Sequence, residues 1–440
     1  MPRFFVLSFY NILLPVFFVL AFPAWLLKMW KRGGYGTGLL ERFAKFKIAA
    51  SEEPKDVVYV HAVSVGEVLI AIKLIEAWLQ QHPEQKMVLA ATTSTGHAVA
   101  REKAPEGVRV IYSPLDFRWI VRAVFRRFKP QQIVLIEAEV WPNLLHIACQ
   151  QGLSVSMVNA RLSSRSESRF QKLGFLVRPI FKMVSRVCVQ DGDDAGRFRG
   201  LGIEEGAIHV TGSIKFDPAG GAVPRKRDRF QAMLDDFDSD NHRSRPVVLL
   251  ASTHAGEERF LAHALSRQNF ASKPLLVVVP RHAERRAEVK SDLQSLGLEV
   301  VLRSEGKQPS DPDSACLVID STGELRDWTA HADLVVIGKS WLGDGGQNPA
   351  EAIIAGVPVV CGPNMGNFEP LVTMLKKVDG IRVLASVDEL GPNVSELLQD
   401  PAMGAQMSHR AQDVLGDHKN AVDKTIKLLY LKASVRSLNM

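Results

Sequence analysis

The sequence predicts an α/β protein with two parallel-sheet domains behind an apolar amino-terminal helix. Short, almost continuously apolar runs recur along the chain, as strands buried on both faces of a parallel sheet require. Segments of roughly 10 to 25 residues separate most of them, a length that suits right-handed helical crossovers. At 440 residues the chain exceeds one ordinary core, so two domains are the default.

The first series of expected strands falls at 57–60, 87–91, 108–112, 133–136, 155–158, 187–189 and 208–211. Asp217-Pro218-Ala219-Gly220-Gly221-Ala222-Val223-Pro224 then breaks the alternation and reads as a linker. A second series follows at 247–250, 275–279, 298–302, 316–319, 334–337 and 357–361. The expected layout is an anchor helix at 1–31, a first domain at 32–217, a linker at 218–224 and a second domain at 225–440. Ligands in such sheets bind outside the carboxyl ends of the strands, so two facing domains predict one interdomain cleft.

Phe4 to Leu27 carries no charge. The run is long enough to cross a bilayer, with Pro15 and Pro23 as kinks. Lys28, Lys31 and Arg32 stand where a signal peptide would need small residues. With Arg42, Lys45 and Lys47 they put the rest of the chain in the cytoplasm by the positive-inside rule. Trp25 and Trp30 suit interfacial anchoring. A single span is expected, with a helix lying in one leaflet and a buried core helix as alternatives.

Hydrophobic residues make up 46% of the chain and charged residues 23%, which excludes a disordered protein. Cys149, Cys188, Cys316 and Cys361 form no CxxC pair, so a disulfide framework or zinc site is not expected and a reducing compartment suits them. The net charge of +6 comes without an interleaved aromatic–basic motif. No nucleic acid is expected; an anionic membrane surface or lipid phosphate is the better partner.

The candidate chemical residues stand just after strands. Glu67 ends His61-Ala62-Val63-Ser64-Val65-Gly66-Glu67, a strand-to-helix turn. A carboxylate there can take a proton, or can simply cap its helix. Ala251-Ser252-Thr253-His254-Ala255-Gly256-Glu257-Glu258 can receive a phosphate at a helix start, or can be an N-cap and capping box. Pro280-Arg281-His282 places an arginine at a strand end, either to grip phosphate or as a surface residue. Gly343-Asp344-Gly345-Gly346-Gln347-Asn348-Pro349-Ala350-Glu351 is a glycine-rich loop opening a helix, with Asn348 cap-like and Pro349 and Glu351 in the first turn. Glu351 can accept from ribose hydroxyls. Gly338-Lys339-Ser340 is no P-loop, because Asp333 occupies the upstream glycine position. No HExxH or spaced His/Asp cluster predicts a metal, and no G-x-S-x-G elbow is present.

Together with Glu137-Ala138-Glu139-Val140-Trp141-Pro142-Asn143, Asn159-Ala160-Arg161-Leu162-Ser163, Thr211-Gly212-Ser213-Ile214-Lys215-Phe216-Asp217, Thr322-Gly323-Glu324-Leu325 and Gly362-Pro363, these segments resemble one family over nearly the whole chain. It is the 3-deoxy-D-manno-octulosonic acid (Kdo) transferases of lipopolysaccharide synthesis. The resemblance implies a GT-B fold, two Rossmann-like domains facing a central cleft. It implies transfer of Kdo from CMP-Kdo to a lipid A precursor (lipid IVA), with inversion and with no metal or other cofactor. It implies Glu67 as general base, and Glu137 and Lys215 as transition-state stabilisers. Pro280, Arg281, Thr322, Gly323, Glu324, Asn348, Pro349, Ala350 and Glu351 are implied to hold CMP. The implied location is the bacterial inner membrane, with the catalytic domains on the cytoplasmic side.

Two basic clusters suit acceptor phosphates or anionic headgroups, or are solvated helix faces: Arg118, Arg122, Arg126, Arg127 and Lys129, and Arg161, Arg165, Arg169, Lys172 and Arg178. The sequence departs from the family pattern at Gln347, Lys339 and Thr322, where His, Gly and Met are usual. The alternative is a GT-B transferase using another nucleotide-activated sugar.

Overall fold

The computed structural model describes residues 2–32, 36–49, 51–162, 164–217, 224–237 and 245–430. Most of the expected linker (218–223) and Ser163 lie outside the described residues. The side chains of Trp25, Lys28, Trp30, Lys31, Arg32 and Arg165 lie outside those described.

The first sheet holds β1 (Val58–Ala62), β2 (Met87–Ala91), β3 (Arg109–Tyr112), β4 (Gln132–Ile136), β5 (Ser154–Ala160), β6 (Arg186–Val189) and β7 (Ile208–Val210). All pairs are parallel, in the order β3-β2-β1-β4-β5-β6-β7. Side chains alternate across a strand, so β1 feeds two cores: Tyr59 packs on one face, and Val58, Val60 and Ala62 on the other. The order reverses between β1 and β4, which are direct neighbours. The loops after these strands therefore flank the crevice where doubly wound sheets bind ligands.

The second sheet repeats the plan with β8 (Val247–Thr253), β9 (Leu275–Pro280), β10 (Glu299–Leu302), β11 (Ala315–Val318), β12 (Leu334–Ile337), β13 (Val359–Cys361) and β14 (Arg382–Val383). Its order is β10-β11-β9-β8-β12-β13-β14, again wholly parallel, and it reverses between β8 and β12. The strand β14 was not expected. It is two half-buried residues long, too short to leave a periodic signal.

The chain divides into two compact units, 1–220 with 418–440, and 221–417. The expected second domain running to 440 is thereby corrected: the chain returns to the first unit. Val422, Ile426 and Leu429 of helix Ala421–Tyr430 join the core over helix Val65–Gln81. The Asp217 carboxylate accepts from the backbone N–H of Asn420 at 3.0 Å and Val422 at 2.8 Å, capping the returning helix.

The apolar run forms a helix, Arg3–Arg32, with Pro15 and Pro23 inside it. Its stretch Arg3–Ala24 is long and apolar enough to cross a membrane. Val6 and Leu7 are buried in the first unit's core.

Candidate active site

Glu67 is fixed by the turn that follows β1. Ser64 caps helix Val65–Gln81, accepting from the Glu67 N–H at 3.3 Å. The Glu67 carboxylate answers by accepting from the N–H groups of Val63 at 2.8 Å and Ser64 at 3.2 Å. The capping box is therefore real, and it also immobilises the carboxylate. Each oxygen keeps a second acceptor position. Glu67 is 6% exposed, so anything that reaches those positions must fit closely.

Glu137 follows β4, next to β1. Its φ of 59° is left-handed, a conformation that costs a residue with a Cβ about 1–2 kcal/mol. Strain of this kind persists where the surroundings over-determine it, as at functional sites. Burial pushes the Glu137 carboxyl up, the Glu67 charge adds to this, and Arg161 and Lys215 oppose it. Burial and then Glu67 also raise Glu139. Three carboxyl groups thus share one electrostatic neighbourhood.

Lys215 stands in the loop after β7. Asn159, with φ 54°, holds that loop: its side-chain oxygen accepts from the Ile214 N–H at 2.8 Å and the Ser213 hydroxyl at 3.3 Å. The Ser213 N–H donates to His418 Nδ1 at 3.2 Å, and Lys73 Nζ to the Asp217 carbonyl at 2.8 Å. Partial burial lowers the Lys215 ammonium, Glu137 pulls it back up, and Arg161 lowers it further. The first unit thus gathers Glu67, Glu137, Glu139, Arg161 and Lys215.

Of the two basic clusters, Arg161 joins the site. Arg127 is structural, paired at 2.9 Å with the buried Glu53, which also binds Arg109 at 2.7 Å. Arg122, Arg126, Lys129, Arg169, Lys172 and Arg178 are exposed.

In the second unit the loops after β8 and β12 are stapled by Glu257, which is wholly buried. Its carboxylate accepts from the N–H groups of His254 at 3.0 Å, Lys339 at 2.5 Å and Trp341 at 3.1 Å. The expected capping box is not what forms. Gly256, with φ 82°, is the N-cap of helix Glu257–Ser266 and no side chain caps it. The neighbouring Glu258 is also buried, and accepts from Thr253 at 2.8 Å and from both terminal nitrogens of Arg285. Gly345 and Gly346 have φ of 102° and 66°, and a Cβ on either would lie 2.4 Å from a neighbouring side chain.

Asn348 accepts from the Ala350 N–H at 3.1 Å. Pro349 and Ala350 are buried behind it, at the start of the five-residue helix Ala350–Ile354. Burial raises the Glu351 carboxyl while Arg326 and Arg281 lower it, so Arg281 and Glu351 share one field. Arg281 is exposed; among the described residues its side chain has no partner, while its N–H donates to the Thr253 carbonyl at 3.0 Å. Pro280 is the buried last residue of β9. Thr322 and Gly323 form an exposed turn. Glu324 is already engaged, by Arg229 at 2.9 Å and Arg303 at 2.7 Å, so it braces that turn. Gln347 Nε2 lies 3.2 Å from His254 Nε2, joining the two switch-point loops.

Sequence reasoning gave no role to Glu139, Asn159 or His418, and read Glu257 only as part of a capping box. Asn159 had a detectable signal, since Asn is enriched at left-handed positions. His418 and the bonds from Glu257 to Lys339 and Trp341 had none, because those partners are distant in sequence.

Two wholly parallel sheets, each with polar loops gathered at its switch point, define the GT-B fold. The UDP-GlcNAc 2-epimerase of Neisseria meningitidis shares the fold, with a TM-score of 0.52 at 13% identity over 85% of this chain and 99% of that one. The C-terminal CMP-Kdo binding domain of WaaA from Acinetobacter baumannii is 31% identical, covering 39% of this chain and 90% of that one at a TM-score of 0.36. The family model for 3-deoxy-D-manno-octulosonic-acid transferase (kdotransferase) matches residues 37–218. The 3-deoxy-D-manno-octulosonic acid transferase of Bordetella pertussis is 32% identical over 420 residues, 91% of this chain and 94% of that protein. The Haemophilus influenzae enzyme of the same name is 29% identical over 406 residues, 91% and 93% of the two chains. The chain belongs to the Kdo transferase family.

Proposed function

We propose that this enzyme moves Kdo from CMP-Kdo to a hydroxyl of a lipid A precursor, inverting the anomeric centre without a metal ion. One observation carries the reading: a fixed carboxylate, Glu67, in the same field as Glu137, Glu139, Lys215 and Arg161. A sugar hydroxyl is a weak nucleophile and needs its proton accepted as it attacks. Glu67 takes that proton while the acceptor oxygen bonds to the anomeric carbon. The bond from that carbon to the phosphate oxygen breaks, and its electron pair leaves with CMP. A single base and a direct displacement give inversion, as in inverting hydrolases.

The leaving phosphate gains charge. Lys215 and Arg161, which share the field of Glu137, are the first unit's cations for it. The glycine-rich loop and Glu351 supply amides and a ribose acceptor for CMP; Pro280, Asn348, Pro349 and Ala350 shape that seat, with the Thr322-Gly323 turn beside it, braced by Glu324. Glu137, which shares a field with Arg161 and Lys215, supports the transition state by holding those cations toward the developing charge. The acceptor in this reading is a lipid, and the apolar helix supports a seat at a bacterial inner membrane, with the catalytic units on the cytoplasmic side.

The test is CMP release on mixing the enzyme with CMP-Kdo, generated in situ, and the acceptor, with and without EDTA. Acceptor-dependent release unchanged by EDTA is expected. Turnover with UDP-sugars in place of CMP-Kdo, or abolition by EDTA, would overturn the proposal.

A further inference from the structure

The apolar helix does not stand clear of the protein. Its contacts with the first unit run from Val6 and Leu7, which are buried, to Phe18, whose ring meets Phe43 at 6.3 Å and Phe117 at 5.7 Å. Between them lies a polar latch. Tyr10 donates to Asp116 at 2.9 Å, and the side-chain amides of Asn11 and Asn143 bond each other twice, at 2.9 Å each way. Asp116 also accepts from the N–H groups of Asn143 and Leu144, so the latch is part of the fold.

This seat takes up about 18 Å of helix at 1.5 Å per residue. The apolar stretch beyond Phe18 reaches only to Leu27, about 14 Å, against a hydrocarbon core of about 30 Å. No length of the helix free of protein is therefore enough to span.

The face opposite the latch is uniformly apolar. Phe5, Phe9, Ile12, Val16 and Leu20 recur at helical spacing and each is more than half exposed. Trp119 extends this surface: it is 58% exposed and stacks on Phe43, which in turn meets Phe18. Exposed Arg122 and Arg126 share a face with Trp119 on helix Arg118–Phe128. Arg118, Arg3 and Arg122 all act on His146, so cations gather beside the first turn of the apolar helix. An apolar stripe rimmed by arginines and an aromatic ring matches one leaflet carrying anionic headgroups.

We infer that the helix lies flat in a single leaflet, latched to the first unit through Asn11–Asn143 and Tyr10–Asp116, and holds that unit at a fixed height over the lipid. This rests on the proposed lipid acceptor and gives the helix a second task. Asn143 ends the segment that begins with Glu137, so the latch fixes the site's carboxyl groups relative to the surface from which an acceptor headgroup projects.

The test uses full-length protein in a Cys149→Ala background. Phe5, Phe9, Val16 and Leu20 are changed singly to cysteine, labelled with an environment-sensitive fluorophore, and mixed with phosphatidylethanolamine–phosphatidylglycerol vesicles. Nitroxide quenchers are placed at the headgroup or deep in the acyl chain. Equal, shallow quenching at all four positions is expected. A spanning helix would separate Phe5 from Val16 by about 16 Å in depth, and selective deep quenching at Val16 would overturn the inference. Failure of all variants, and of unlabelled protein, to bind the vesicles would remove the membrane reading itself and this inference with it. Asn11→Leu keeps the helix apolar but breaks the latch. It is expected to bind vesicles undiminished and to lose about tenfold in transfer to a vesicle-borne acceptor, with little change on a dispersed short-chain acceptor. Equal loss on both acceptors would overturn the height-setting role.

Discussion

Glu67 has two duties, and substitutions can separate them. Glu67→Gln removes the basic carboxylate but keeps one carbonyl oxygen for the Val63 N–H, its shorter bond at 2.8 Å. It leaves the Ser64 N–H without its acceptor, at a cost of about 1 kcal/mol. Ser64→Ala removes the reciprocal bond to the Glu67 N–H, for a similar cost of about 1 kcal/mol. In a unit of this size each change lowers Tm by about 2–4 °C. The two variants are therefore matched in stability and differ in chemistry. Loss of a general base lowers kcat by about 10²–10⁴-fold, or about 3–5 kcal/mol of transition-state stabilisation. Ser64→Ala keeps the base, so its kcat should stay within about threefold of wild type once corrected for folded fraction. Calorimetry and a mass-spectrometric transfer assay on both proteins decide it. Equal activity losses in the two variants would refute the assignment of Glu67 as base and leave it a cap.

Three further outcomes are expected. Burial and Glu67 raise the folded-state pKa of Glu137, so the stability tied to its proton is present below the ordinary carboxylate pKa and lost as pH rises through the raised value. Glu137→Gln should therefore raise Tm at pH 8, show no gain below pH 4, and lose most activity throughout; calorimetry across pH checks it. Arg281→Ala removes an exposed side chain without a partner among the described residues, so stability should change by less than about 0.5 kcal/mol while KM for CMP-Kdo rises about 10–100-fold in steady-state kinetics. Glu257→Gln puts an amide donor against backbone donors, at about 1–3 kcal/mol for each N–H it orphans. Limited proteolysis should then cut the loop after β12 faster, and KM for CMP-Kdo should rise.

The strands were legible because parallel strands buried on both faces are apolar without interruption, as 87–91 and 334–337 are. The residues after β1, β4, β8 and β12 were legible for a related reason: polar and glycine-rich segments at the ends of apolar runs mark the loops of a switch point. What escaped depends on distant contacts. Nothing near Ala421–Tyr430 says that its apolar face packs on the first unit, because its cap, Asp217, is 203 residues from Asn420. Glu257 looked like the second half of a capping box, since that motif depends only on local spacing; its partners at Lys339 and Trp341 lie 82 and 84 positions away. Composition marked the amino-terminal helix as apolar. Only the positions of Asp116 and Asn143 reveal that one side of it has a polar seat.

The central claim is that this chain adds Kdo to a lipid A precursor by direct displacement. Its most direct test is to incubate the wild-type enzyme with that precursor and CMP-Kdo, then read the product by mass spectrometry and its new linkage by NMR. One or more Kdo mass increments, with anomeric configuration opposite to that in the donor, are predicted. No increment from folded enzyme, or a retained configuration, would contradict the account.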